Sequence, residues 1–238
     1  MTDDLYKREY YHLRSFEDLL YDAVMLSYMT HDIDFNSDEH GYQFALIRAS
    51  IIDSILLLEC AANCCISSLG LSGQFLNDID KLPFPSKFEY FLKQFQPKVK
   101  FDRGCKEIQC IVELKTIRDS YVHPKVKKEK MVQISESAWE ANFGKTKMLD
   151  IPRATKDWRS SHTVDVLKAT NAFLNRYFLE WCKFDTNTIC HVLLGSEEAH
   201  IPDCIGKTGG YGIDCIGTLD RAVTEWGIDF KYLGKRLQ

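Results

Sequence analysis

Residues 42–69, YQFALIRASIIDSILLLECAANCCISSL, decide the fold. The stretch runs for about 28 residues without glycine or proline and is apolar nearly all round. A helix that greasy on every side has no solvated face to offer, so it belongs at the centre of a bundle. Asp53, Glu59 and Asn63 interrupt the run often enough to argue against a membrane span.

Other helices are expected around this axis. Residues 5–29 place apolar and aromatic side chains at mixed three and four spacing. Ser86 and Glu89 form a capping-box pattern at the head of a short helix over 86–95, which Pro97 ends. Residues 104–123 form the next helix, stopped by Pro124, and 163–184 return to clear helical spacing. Between them, 124–160 reads as a long basic loop with a short helix around SESAWEANF (135–143). No strand pattern is strong enough to build a sheet. The expected architecture is all-α, with four or five main helices over residues 1–184 and an irregular C-terminal extension of unassigned structure over 185–238, in which a short helix is expected near TLDRAVTEW (218–226).

The chain has 238 residues, 45% hydrophobic and 27% charged, an ordinary globular composition. No charged-then-apolar leader opens the sequence, and the expected location is cytoplasmic. The nine cysteines are odd in number and lack a C-x-x-C spacing, which points to reduced core thiols. Cys182, Cys190, His191, His200 and Cys204 do not have metal-ligand spacing, and GKTGG (206–210) lacks the upstream glycine and strand context of a phosphate loop. No metal or other cofactor is expected. Net charge is −4, but unevenly spread: −8 over residues 1–96, +6 over 97–159 and −2 over 160–238. The basic third suits either a solvated loop or a surface that attracts phosphate.

Chemistry concentrates in ELKTIRDSYVHPK, residues 113–125. At about 100° per residue, Ile108, Ile111, Val112 and Val122 form one apolar group and Cys110, Leu114, Ile117 and Tyr121 a second. Arg118 falls between them, on the packing side, while Glu113, Thr116 and Ser120 share the wet sector. An arginine there requires a partner or an interface, since an unpaired buried charge costs several kcal/mol. His123 lies at the helix end, where Pro124 forces the chain out of helical geometry and frees the ring.

This arrangement resembles the HEPN superfamily, in which an arginine, a polar residue and three further positions precede a histidine at a helix end. RDSYVH (118–123) fits, with Asp119 where asparagine is frequent. IRASIIDSILLLECAAN (47–63) is similar to the family's long apolar helix, with a Leu-Glu pair and Asn63 four residues after Glu59. The likeness covers roughly residues 10–184. It implies a four- to five-helix up-and-down bundle that dimerises through the motif helices, and a metal-independent endoribonuclease of the kind found in toxin, antiphage and RNA-processing systems. Arg118 and His123 would be catalytic, with Asp119, Glu59 and Asn63 supporting them; on α-helical spacing Glu59 is the candidate to pair with and orient Arg118, the alternative being a network of Arg48 with Glu59 or Asn63 inside the bundle. RNA would be the substrate, a second copy the partner, and an antitoxin or other protein a further one. Lys125, Lys127 and Lys128 would contact RNA phosphates; Lys125 stands where some members carry a modifiable tyrosine. The other reading of the same resemblance is a catalytically silent module for dimerisation or nucleotide and RNA binding.

Overall fold

A computed structural model describes residues 14–32, 40–126, 128–194 and 213–234. The helices are α1 (Phe16–Asp32), α2 (His40–Ser67), α3 (Gly73–Asp80), α4 (Phe84–Phe95), α5 (Lys106–Val122), α6 (Ser160–Asn175), α7 (Thr186–Leu194) and α8 (Ile213–Trp226). A two-stranded antiparallel hairpin, β1 (Met131–Gln133) and β2 (Trp139–Ala141), is the sheet present among these residues. No described helix is long and apolar enough to cross a membrane.

α2 forms the axis because it has no polar side to spare. It packs on α1, α4, α5, α6 and α7, and Ile51, Ile55, Leu57, Leu58, Ala61, Ala62 and Cys65 are fully or almost fully buried. Phe88 of α4 sits between Phe173 and Tyr177, 4.9 and 4.6 Å away centroid to centroid, and the Tyr177 hydroxyl donates to the Phe88 carbonyl at 2.8 Å. α6 widens into a single π-helical turn at Arg176–Trp181, which brings Tyr177, Phe178 and Trp181 into the core. Among the described residues there is no disulfide, and Cys64, Cys65, Cys182 and Cys190 are buried.

Several local expectations give way. α4 starts at Phe84, with Pro83 at its cap and Pro85 in the first turn, because proline's fixed φ suits the position where no intrahelical N–H is needed. Ser86 therefore lies inside the helix, and Glu89 pairs with Arg103 instead of reaching back. The helix expected over 135–143 is instead the hairpin's turn and second strand. Met131, Val132 and Trp139 are all exposed, so the strands have no buried face to impose an alternating pattern. The turn-rich stretch before α4 contains α3.

Beyond residue 185, where an irregular extension is expected, the described chain carries α7 as well as α8, which includes the short helix expected near TLDRAVTEW. α7 buries Ile189, Cys190 and Leu193, and the segment after α8 buries Ile228, Phe230, Tyr232 and Leu233 in the common core. α8 closes on α1: Trp226 stacks on Tyr28 at 4.1 Å, the Arg221 guanidinium lies 4.2 Å above the same tyrosine, and Arg221 pairs with Asp32 at 3.0 Å. GKTGG, His200 and Cys204 lie outside the described residues.

Candidate functional site

α5 buries Ile108, Cys110, Ile111, Leu114 and Ile117 against its neighbours. Its last turn overruns the bundle, leaving Tyr121 and Val122 exposed although the helical angle assigns both to packing. Val112, also placed on that side by angle, is exposed as well.

Arg118 lies on the rim of the packed face, with its side chain 26% exposed. One terminal nitrogen donates to Glu59 Oε2 of α2 at 2.7 Å, and the other to Asp119 Oδ1 at 3.1 Å. Asp119 in turn accepts from Lys115 through its second oxygen. Partial burial works to raise the Asp119 carboxyl, but the hydrogen bonds and charges of Lys115 and Arg118 outweigh it and hold the group below the ordinary carboxylate range. Two of the guanidinium's five N–H donors are thus committed, and the Nε–H is buried without an acceptor among the described residues. The cation is fixed in orientation with part of its fork still free.

His123 caps α5. Its backbone N–H reaches the Asp119 carbonyl at 3.0 Å, its φ and ψ of −119° and 66° have left helical space, and its ring is exposed. Pro124 accounts for the break, because it disfavours α geometry in the preceding residue.

Of the other expected site residues, Glu59 joins Arg118 and takes it in place of Arg48, which shares its helix. Asn63 does not join this network. It is one turn further along α2, where its side-chain oxygen accepts from Lys87 Nζ at 2.7 Å; Lys87 is buried and also pairs with Asp80 at 3.2 Å. Lys125 and Lys128 are exposed, and Lys127 lies outside the described residues. No group of three His, Cys, Asp or Glu side chains is placed to hold a metal ion among the described residues.

The wet sector of α5 holds a feature that sequence reasoning missed. Residues 143–158 arch over Glu113, Thr116 and Ser120 and enclose a groove of about 450 Å³. The arch is held mainly by backbone contacts. Thr146 and Ile151 exchange hydrogen bonds, the Arg153 N–H reaches the Gly144 carbonyl at 2.9 Å, and the buried Trp158 donates its indole N–H to the Pro152 carbonyl at 2.7 Å. Gly144 turns the chain at φ 71°, a left-handed conformation natural to glycine. Glu113 anchors the arch to α5: its carboxylate accepts from the backbone N–H groups of Lys147 at 2.8 Å, Met148 at 2.9 Å and Leu149 at 3.2 Å. The signal available in the sequence was the +6 charge of residues 97–159, much of which lies around this groove.

No family model, no curated protein and no solved structure matches the chain.

Proposed function

We propose that the protein is a metal-independent endoribonuclease acting through a site composed from two copies of the chain. The observation that carries this reading is the fixed guanidinium of Arg118 five residues before an exposed His123 at a broken helix end. Transesterification of RNA needs a base for the ribose 2′-hydroxyl, an acid for the departing 5′-oxygen and a cation for the charge on the phosphorane. His123 from each copy supplies base and acid. Arg118, oriented by Glu59 and Asp119, presents its remaining N–H groups to the non-bridging oxygens. The 2′-oxygen attacks phosphorus, the 5′-oxygen leaves with the proton given by the second histidine, and the products carry a 2′,3′-cyclic phosphate and a 5′-hydroxyl.

A second copy is supported by the surface of α5. Val112, Lys115, Asp119 and Val122 follow one another at spacings of three, four and three, and so form a single stripe beside Arg118. The two valines are 42% and 48% exposed, an apolar edge that a two-fold related α5 would cover. The HEPN-like bundle suggested by residues 10–184 is consistent with the helical content and the central α2.

The reading as a silent binding module draws on one observation: Arg118 has two carboxylates against it, which lower its attraction for phosphate. Incubation of the pure protein with structured RNA in excess EDTA separates the two. EDTA-resistant cleavage that falls about 10²- to 10⁴-fold in His123→Ala is the expected result. Absence of cleavage, or equal cleavage by the variant, rejects the enzyme.

A further inference from the structure

The groove between α5 and the 143–158 arch lies on the side of the helix away from Arg118, and the motif residues do not account for it. Its chemistry is specific. Lys125, Lys147, Arg153 and Lys156 line it, all exposed, and none of the four is in an ion pair among the described residues. The carboxylate that lines it, Glu113, already accepts from the three backbone N–H groups of the arch. The groove is therefore strongly cationic with its one negative group turned to structural work, and a phosphate-bearing occupant meets that charge.

The lining is also aromatic. Tyr121 is 40% exposed, with its ring inclined by 22° to the Trp158 indole 6.3 Å away, and Phe143 is half-buried beside them. Thr116, Ser120 and Thr155 add hydroxyls. Aromatic faces with neutral hydroxyls inside a ring of cations match a nucleobase joined to phosphate. A volume of about 450 Å³ receives a single splayed nucleotide and excludes a duplex.

We propose that this groove holds one nucleotide of a single-stranded RNA, its base against Tyr121 and Phe143 and its flanking phosphates among Lys125, Lys147, Arg153 and Lys156. The choice of RNA rests on the ribonuclease reading, whereas the nucleotide chemistry rests on the groove alone. Pro124 lines the groove and directly follows His123, so a strand seated there leaves the arch beside the histidine. The groove thereby selects unpaired RNA and sets the register in which it reaches the scissile position.

The test is fluorescence anisotropy of a labelled single-stranded oligoribonucleotide with the full-length protein carrying His123→Ala, so that binding is read without cleavage. The double variant Lys147→Ala/Arg153→Ala weakens binding about 30-fold and reduces the slope of log affinity against log salt by about 1.4. Tyr121→Ala weakens it about tenfold. Lys98→Ala/Lys100→Ala, two exposed lysines of the same basic third outside the groove, changes it less than about twofold. A duplex of equal length binds at least about tenfold more weakly than the strand. Groove variants that bind like the parent, or a duplex that binds as tightly as the strand, overturn the proposal. Adenosine monophosphate displacing the strand at equal concentration assigns the groove to a free nucleotide and overturns the strand. If the unmutated protein cuts no RNA while these dependences hold, the ribonuclease reading fails and the groove stands.

Discussion

Glu59 and Arg118, 59 positions apart in the chain, meet at 2.7 Å between α2 and α5, and each is only about a quarter exposed. The pair fixes the direction of the guanidinium, and under the ribonuclease reading proposed above a misdirected cation would meet the transition state poorly. Glu59→Gln is expected to lower kcat for RNA cleavage about 10- to 100-fold with KM little changed, and to cost about 1 kcal/mol of stability. Single-turnover kinetics beside urea denaturation measure both. A full rate in the variant would show that Glu59 serves packing alone.

Asn63 offers the contrast on the same helix. It binds the buried Lys87 and shares no hydrogen bond with Arg118, so Asn63→Ala should lower stability by about 1–2 kcal/mol and, under the ribonuclease reading, leave the rate of RNA cleavage as it was. Lys87→Met, which replaces the buried charge by an apolar chain of similar length, should be close to neutral in the same denaturation experiment. A large loss in the methionine variant would mean that the ammonium itself stabilises the junction of α2 and α4.

Glu113 gathers three backbone donors, and a glutamine in its place keeps only one acceptor oxygen for them. Glu113→Gln is expected to cost about 1–3 kcal/mol. Amide exchange at residues 147–149 should accelerate while the amides of α2 keep their protection. Uniform acceleration across the chain would instead mark global destabilisation.

Burial pushes the Asp53 carboxyl up to about 6, with Asp22 adding repulsion. Between the ordinary value near 3.8 and about 6 the folded chain binds the proton more strongly than the unfolded one, so stability falls as pH rises through that window. Asp119, held low, contributes in the opposite sense, and its share is lost only as pH falls below the ordinary carboxylate range. Asp53→Asn should therefore flatten the decline in Tm between about pH 4 and 6 and add about 1–2 kcal/mol at pH 7, the partial exposure of the site having been allowed for. An unchanged pH profile would place the titration elsewhere.

The axis of the bundle was legible in the sequence because α2 carries its evidence in every residue: an all-round apolar helix has one place to go. The end of α5 was legible for a similarly local reason, proline after histidine. Arg118 could be recognised as needing a partner and Glu59 named as the candidate, but geometry alone decided between that pair and a network of Arg48 with Glu59 or Asn63 inside the bundle. The arch left almost no trace, because backbone hydrogen bonds and one carboxylate hold it, and neither produces periodicity. The hairpin was invisible for the opposite reason, having no buried face. The π-helical turn was invisible too, since RYFLEW (176–181) continues the helical apolar pattern before it.

The closure of α8 over α1 sets an order of events in the cell. Tyr28 is made well before Arg221 and Trp226, the residues that cover it. Until residues 221–226 have been made, the corresponding side of α1 lacks its cover. A nascent chain arrested before residue 221 should accordingly be captured by chaperones that bind exposed aromatic surface, and a chain extended well past residue 226 should escape them.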